Sequence, residues 1–231
     1  MSNVYRNKKD SSEEVTENAQ RTLNSIERLA PSYLTLKNYN RLQGEFTDEV
    51  IISLTNLLEI HDEYTKGHNE TVTNISREIA RKINLSQSSI EMTYWAGLLH
   101  DIGKTIIPEY ILNKKGKLSI DEYDIIKQHS VWGYQTLKNS VELKEIAEYI
   151  LYHHERWDGS GYPKGIKGKQ IPIISQILAV ADAWDAITSE RTYRNPLSKK
   201  EAIEELISNK GTQFSPKIVD QFINSNFKDR F

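Results

Sequence analysis

Five of the six histidines in this chain occupy positions that could hold metal ions. His153 and His154 are adjacent and precede a glycine-rich turn, while His100 is followed by Asp101. Imidazole nitrogens and carboxylate oxygens can hold two divalent ions a few ångströms apart, with an aspartate and a hydroxide bridging them. Such a centre polarises a phosphoryl oxygen and supplies a nucleophile from water near neutral pH. The pattern therefore predicts phosphodiester cleavage. The residues that carry it are His68, His100, Asp101, His129, His153, His154 and Asp182.

Each of these residues also has a structural interpretation. A lone histidine on an apolar helix face, such as His68 or His129, is more often a hydrogen-bonded core residue than a ligand. His100 and Asp101 could be a solvated pair at a helix end. Adjacent imidazoles on a helix diverge, so His153 and His154 are harder to explain by packing. Asp182, between two alanines on an apolar face, is costly to bury unless it is paired or coordinated. We favour a metal site because it explains all of these positions together.

The composition limits the possible partners and ligands. The 231 residues include 30 basic and 32 acidic side chains, so the formal charge is -2 and no overall field favours duplex nucleic acid or an anionic membrane. Without cysteine, the metal ligands must be nitrogen and oxygen. No stretch approaches the ~20 apolar residues of a membrane span, and residues 1–20 lack the apolar core of a signal peptide. We therefore expect a soluble, cytoplasmic protein.

Hydrophobic spacing predicts an all-α main domain over residues 46–231. Residues 1–20 are polar and are expected to be a disordered lead-in. Residues 21–45 carry a weak, interrupted helical pattern, typical of a linker or packing segment, and could contact a signalling protein or a second copy of the chain. Alternation with a period of two is scarce, so no sheet is predicted.

The predicted helices place the candidate ligands. One helix carries His68 on the same face as Val72, Ile75 and Ile79, and a second begins near Gln87 and is expected to stop at Gly103. A third begins with the capping box of Ser119 and Glu122 and is expected to reach His129.

Three further apolar patterns complete the domain. Ile150 and His154 are expected to share a helix face, as are Leu178 and Asp182. Residues 156–172 form a long loop with four glycines and two prolines. Two closing helices are predicted to begin at Ser198, with Glu201 completing a capping box, and at Ser215 followed by Pro216.

Several motifs lie in a specific order between about Asp62 and Phe214. They are Asp62-Glu63-Tyr64-Thr65-Lys66-Gly67-His68, His100-Asp101-Ile102-Gly103-Lys104, His129, His153-His154-Glu155-Arg156-Trp157-Asp158-Gly159-Ser160-Gly161-Tyr162-Pro163, Ala181-Asp182-Ala183-Trp184-Asp185-Ala186, Arg191-Thr192-Tyr193-Arg194 and Gly211-Thr212-Gln213-Phe214. In this order they resemble the HD-GYP family of cyclic di-GMP phosphodiesterases, a branch of the HD-domain metal phosphohydrolases. The resemblance implies an HD-domain helical bundle with a GYP loop, which hydrolyses cyclic di-GMP via pGpG to GMP.

The resemblance also implies a role for each site residue. One metal would be bound by His68, His100, Asp101 and Asp182, and a second by His129, His153 and His154, with Asp101 bridging the two. Lys104 would contact the scissile phosphate or the bridging hydroxide, and Asp185 would orient a ligand histidine. Substrate would be bound by Gly161, Tyr162, Pro163, Arg191 and Arg194. The two arginines could equally lie at a solvated helix end. An imidazole-rich site without sulfur suits iron or manganese better than magnesium.

Four positions depart from the pattern of the family. Tyr64 stands where some members place a glutamate that binds a third metal, so two metals are expected. Thr71 and Gln176 replace arginines, and Ser215 replaces an aspartate, which bears on substrate affinity more than on chemistry. Two alternatives remain: hydrolysis of another cyclic or linear dinucleotide, or a weakly active cyclic di-GMP sensor that docks a signalling partner.

Overall fold

The computed structural model describes residues 49–62 except 50, 54 and 57, residues 67–189 and residues 196–224. The chain divides into two units, residues 1–51 and 52–231, and nearly all described residues belong to the second. The predicted lead-in and linker lie outside the described residues, as do Tyr64, Arg191 and Arg194. The domain start at residue 46 therefore stays a prediction.

The described residues confirm the all-α prediction. They contain no β-strand, and their single β-bridge joins Lys210 to Phe214. None of the described helices is long and apolar enough to cross a bilayer. Described residues between 49 and 61 are helical. From residue 67 onward, the α-helices are α1 His68–Lys82, α2 Gln87–Leu99, α3 Glu109–Leu112, α4 Ile120–Lys127, α5 His129–Leu137, α6 Lys144–Leu151, α7 Ile173–Thr188, α8 Lys199–Ser208 and α9 Pro216–Ile223. Two 3-10 helices span Ile102–Ile106 and Gly168–Gln170.

The core forms where α1 packs against α2 and α7. The face of α1 that carries Val72, Ile75 and Ile79 is buried, as the spacing predicts. The α1 and α2 backbones approach closely at Gly97, where an added Cβ would lie 2.7 Å from Thr73 Oγ1. Helix α9 packs against both α1 and α7, and the rings of Phe222 and Trp184 lie 4.9 Å apart. Candidate ligands thus come from helices that a continuous apolar core holds in place.

The predicted helix starts are confirmed. Ser119 and Glu122 form a complete capping box at the start of α4, and Ser198 and Glu201 form another at the start of α8. Helix α9 follows Ser215 with Pro216 in its first turn. These starts depend on contacts within four residues, which is why sequence alone predicts them.

Three predicted helix ends were wrong. Helix α2 ends at Leu99 and not at Gly103, which lies in a 3-10 helix, where an added Cβ would fall 1.9 Å from the carbonyl oxygen of His129. The helix from Ser119 does not continue to His129: α4 ends at Lys127, and His129 begins α5. Helix α6 ends at Leu151, so His154 lies in a turn beyond it. In each case tertiary packing overrode a continuous local pattern.

Candidate metal centre

The structure brings together all seven side chains that the resemblance implied as ligands. His68 is the first residue of α1, and His100 and Asp101 directly follow α2. His129 opens α5, His153 and His154 follow α6, and Asp182 lies within α7. Most candidates therefore sit at helix ends, where the chain turns toward the centre.

The candidate ligands form two groups joined by Asp101. Ligand atoms of His68, His100 and Asp101 lie within 4.8 Å of one another, and so do those of His129, His153 and His154. Asp101 Oδ2 is 3.4 Å from His100 Nε2, whereas Oδ1 is 3.5 Å from His129 Nε2. The two oxygens of one carboxylate thus face different histidine groups, an arrangement in which Asp101 could contact two ions. Asp182 Oδ1 joins the first group at 3.4 Å from His68 Nε2.

Three of the histidines are oriented by the carbonyl three residues earlier. Nδ1 of His100 lies 2.8 Å from the Gly97 oxygen, Nδ1 of His129 lies 2.7 Å from that of Ile126, and Nδ1 of His153 lies 2.5 Å from that of Ile150. A carbonyl only accepts, so each Nδ1 carries the hydrogen and each Nε2 presents a lone pair to the centre. In a metal-binding histidine, the ring nitrogen that does not bind the metal usually donates a hydrogen bond of this kind.

The Nε2 atoms of His100, His129 and His153 face the centre and carry no hydrogen in this assignment. His129 Nε2 and His153 Nε2 are only 3.3 Å apart, although the assignment above gives each of them a lone pair. His100 Nε2 is buried and has no hydrogen-bond partner in the part of the chain that the structure describes. Buried acceptors that face one another are costly unless a cation lies between them. The donor set of nitrogen and oxygen fits divalent metal ions.

In the group that contains carboxylates, His68 lies between two acidic side chains. His68 donates from Nδ1 to Asp185 Oδ2 over 2.6 Å. Burial opposes protonation of His68, but hydrogen bonds with Asp182 and Asp185 raise its pKa to about 9. Burial likewise opposes ionisation of Asp182, and the hydrogen bond with His68 nevertheless holds its pKa below the usual range. Asp185 lies where a residue that orients His68 would be expected.

The other group consists of imidazoles alone. Burial, with a smaller effect from neighbouring imidazoles, lowers the pKa of His154 to about 3. The same causes place the pKa of His153 well below its ordinary value, and burial also lowers that of His129. These three histidines are therefore neutral near pH 7, which is the form that binds a metal.

Lys104 lies between two buried carboxylates. Its Nζ is 2.8 Å from Asp101 Oδ2 and 3.1 Å from Asp62 Oδ2. Burial opposes the charge on Lys104, but the two carboxylates raise its pKa. Burial similarly opposes ionisation of Asp101, whose pKa Lys104 and nearby histidines hold well below the usual range. Sequence reasoning assigned no role to Asp62, although it begins the first quoted motif. No local signal distinguishes it from a solvated aspartate.

The loop after α6 places Tyr162 beside the all-imidazole group. The rings of Tyr162 and His154 have centroids 4.9 Å apart, and the Tyr162-Pro163 peptide bond is cis. An added Cβ on Gly161 would lie 2.3 Å from the backbone nitrogen of Arg156, so the loop requires glycine to fold back on its own chain. Substrate contact by Gly161, Tyr162 and Pro163 stays a prediction.

Two of the described positions that depart from the family pattern have local partners. Thr71 Oγ1 donates to the Gly67 carbonyl over 2.9 Å, which closes the first turn of α1. Gln176 is buried and its Nε2 donates to the Ile171 carbonyl over 2.7 Å. These contacts give Thr71 and Gln176 structural roles. Ser215 is buried at the start of α9, where its side chain makes no capping hydrogen bond.

Comparison with known proteins agrees with this architecture. A family model described as an HD domain matches residues 53–218, which include all of the candidate ligands. A crystal structure of a cyclic GMP-AMP-specific phosphodiesterase from Vibrio cholerae aligns with a TM-score of 0.57 and 22% sequence identity, covering 78% of this chain and 49% of that one. At this identity the likeness concerns the fold.

Two curated proteins are similar in sequence over most of the chain. A cyclic di-GMP phosphodiesterase of Thermotoga maritima is 44% identical over 181 residues, which are 78% of this chain and 49% of the relative. A 3′3′-cGAMP-specific phosphodiesterase of Vibrio cholerae is 37% identical over 191 residues, which are 81% of this chain and 37% of the relative. The chain thus spans half or less of the length of these relatives.

Proposed function

The chain belongs to the HD-domain family, and from this membership we propose that it is a metal-dependent phosphodiesterase that hydrolyses cyclic di-GMP. One observation carries the proposal: the two oxygens of Asp101 face two separate histidine groups, which suits a centre with two divalent ions. The relative from Thermotoga maritima, named a cyclic di-GMP phosphodiesterase, supports this substrate.

Each metal would have its own set of ligands in this proposal. His68, His100, Asp101 and Asp182 would hold one ion, and Asp101, His129, His153 and His154 the other. When bound, the two ions, iron or manganese by ligand type, polarise a phosphoryl oxygen and supply hydroxide as the nucleophile.

The remaining residues act on the substrate or on the ligands. Lys104 keeps a third N–H beyond those directed at Asp101 and Asp62, and this N–H would stabilise negative charge on the scissile phosphate. Asp185 would hold the His68 ring in its orientation. Tyr162, Arg191 and Arg194 would bind the guanine bases and the second phosphate. Two successive hydrolyses would convert cyclic di-GMP to pGpG and then to GMP.

A second candidate substrate is a hybrid cyclic dinucleotide. Besides the relative above, another Vibrio cholerae protein named as 3′3′-cGAMP-specific is 36% identical over 67% of this chain. A third possibility, a cyclic di-GMP sensor with little turnover, is disfavoured because selection for binding alone would not require both Lys104 and a complete ligand set.

The test combines metal analysis with product analysis. Protein purified without oxygen should contain about two ions per chain by elemental analysis, in keeping with seven candidate ligands, one of which is the shared carboxylate. Cyclic di-GMP, 3′3′-cGAMP and cyclic di-AMP are then supplied separately, and linear products are separated by chromatography.

Faster turnover of cyclic di-GMP, with pGpG before GMP, is the expected result. If 3′3′-cGAMP is turned over faster, the proposed substrate is wrong, whereas the proposed reaction type is retained. A loaded protein that hydrolyses none of the three, or that holds one or three tightly bound ions, would contradict the proposal.

A further inference from the structure

The loop of residues 155–168 is fastened to the domain through its backbone. The backbone nitrogens of Trp157 and Asp158 donate to the carbonyls of Gln213 and Thr212, over 3.0 and 2.9 Å. Tyr162 N donates to the His154 carbonyl over 3.3 Å. Gly168 N donates to the Trp157 carbonyl over 2.9 Å where the loop ends. These bonds hold the beginning, the tip and the end of the loop, and the segment directly after Pro163 is held by a side chain.

Glu155 provides that fastening from beneath the loop. Its side chain is buried, and Oε1 accepts from the backbone nitrogens of Lys164 and Gly165 over 2.6 and 3.1 Å. The second oxygen, Oε2, is also buried and has no hydrogen-bond partner within the described residues. A buried carboxylate is costly unless hydrogen bonds compensate, and the two backbone N–H groups supply that compensation at Oε1.

The position of Glu155 in the chain links its hydrogen bonds to the candidate ligand His154 and to Tyr162. Glu155 directly follows His154, while Lys164 follows the Tyr162-Pro163 pair. The Glu155 bonds therefore close a ring of chain that begins beside one candidate ligand and contains Tyr162. Within this ring Gly161 packs against the Glu155 backbone, where an added Cβ would lie 2.6 Å from Glu155 Cα. The Tyr162 ring is thereby held against His154.

We propose that Glu155 is a positioning residue, which fixes Tyr162 beside His154 so that the Tyr162 ring can receive a nucleobase of the dinucleotide. This inference rests on the proposed function for its substrate, but not for the fastening itself. An aromatic face at a fixed position stacks a base without the entropic cost of ordering a free loop. Glu155 would therefore affect binding of a substrate that carries bases and leave the phosphate chemistry intact.

Three variants separate this role from general damage to the fold. Glu155→Ala removes both acceptors, whereas Glu155→Gln keeps one oxygen that can accept both N–H groups and places its NH₂ where Oε2 has no partner. Glu148→Ala removes an exposed glutamate from the preceding helix α6 and serves as the matched control. Metal content and thermal unfolding are measured for each variant.

The first readout is hydrogen exchange of the loop, which needs neither substrate nor turnover. The Lys164 and Gly165 amides should exchange roughly 10- to 100-fold faster in Glu155→Ala, the range that corresponds to losing a hydrogen bond to a charged group. In Glu155→Gln, the exchange rates of these two amides should be closer to the wild-type rates than to those of Glu155→Ala. Unchanged exchange in Glu155→Ala would overturn the fastening.

The second readout compares two substrates. In Glu155→Ala the KM for the cyclic dinucleotide should rise roughly tenfold, while kcat/KM for a small chromogenic phosphodiester without bases stays within about twofold of the wild type. Combining Glu155→Ala with Tyr162→Ala should add little to the effect of Tyr162→Ala alone, because both act through one ring. Equal losses on both substrates, or additive effects, would overturn the positioning role.

Failure of the proposed function leaves a different pattern. A wild type that hydrolyses the small diester but no cyclic dinucleotide would refute the substrate assignment, and with it the base-binding part of this inference. The exchange experiment would still decide whether Glu155 fastens the loop.

Discussion

The two histidine groups of the centre differ in charge. The group of His68 and His100 includes Asp182, and Asp185 accepts a hydrogen bond from His68 Nδ1. The pKa of His68 is raised to about 9. The group of His129, His153 and His154 consists of imidazoles, and burial lowers the pKa of His154 to about 3 although the carboxylates of Asp182 and Asp101 oppose that shift. In the second group, Nε2 of both His129 and His153 presents a lone pair to the centre, and the two nitrogens lie 3.3 Å apart. We infer that the two ions would be held with different strength.

The shared carboxylate provides the strongest test of this comparison. Asp101→Ala should abolish hydrolysis and lower metal content, because two cations would face one another without the anion between them. Elemental analysis and cyclic di-GMP turnover check this result, with circular dichroism to verify the fold. Activity retained in homogeneous, metal-loaded Asp101→Ala protein would refute the bridging role.

A matched pair of variants should distinguish the two groups. Asp182→Ala and His153→Ala each remove one side chain from a single group, so each should cost about one of two ions. Turnover should fall further than the roughly 10- to 100-fold typical of losing a partner that orients a ligand.

Their metal content should be measured after stepwise dialysis against a chelator. In the wild type, the ion of the all-imidazole group should leave first, because it is held by fewer negative charges. The ion that leaves first from the wild type should be absent from His153→Ala. The ion that leaves last should be absent from Asp182→Ala. If both variants lose both ions together, the groups are not separable and the comparison fails.

Lys104 contacts the centre at the Asp101 oxygen that faces His100. Lys104→Ala should keep the metals but slow turnover by roughly 10²–10³, equivalent to ~2.7–4 kcal/mol, as for removal of one preorganised donor. The check is kcat measured at equal metal content. A parallel fall in metal content would mean that Lys104 supports Asp101 and not the phosphate.

The smallest effect is expected for the two arginines that the resemblance assigns to substrate binding. Arg191→Ala and Arg194→Ala should raise the KM for cyclic di-GMP roughly tenfold, because a guanidinium can bind the second phosphate or a guanine edge. A small chromogenic diester, which lacks both features, should be little affected. Kinetics on the two substrates decide between roles: equal losses would indicate support of the fold, and no loss would place the arginines at the solvated surface.

Sequence reasoning selected the candidate ligands because the motifs that contain them occur together in a recognisable order, whereas a single histidine has an ordinary structural interpretation. His68 shares a periodic face with Val72, Ile75 and Ile79, and the glycine-rich loop follows His154 directly. It failed at Gly103, whose absence of a side chain matters only because α5 packs against it. It also gave no role to Glu155, because its partners Lys164 and Gly165 are backbone groups that become neighbours only when the loop closes.

The sequence by itself determined the helical class, the helix starts and the chemical types available to a metal, since periodicity, capping and residue identity are local properties. Only the tertiary structure decided that His153 and His154 converge in a turn beyond α6, and that the two oxygens of Asp101 face different groups. It alone placed Asp62 beside Lys104. The physical reason is that helix ends, ring orientation and ion pairing between distant residues depend on which helices pack together, and packing couples positions that have no local relation in the chain.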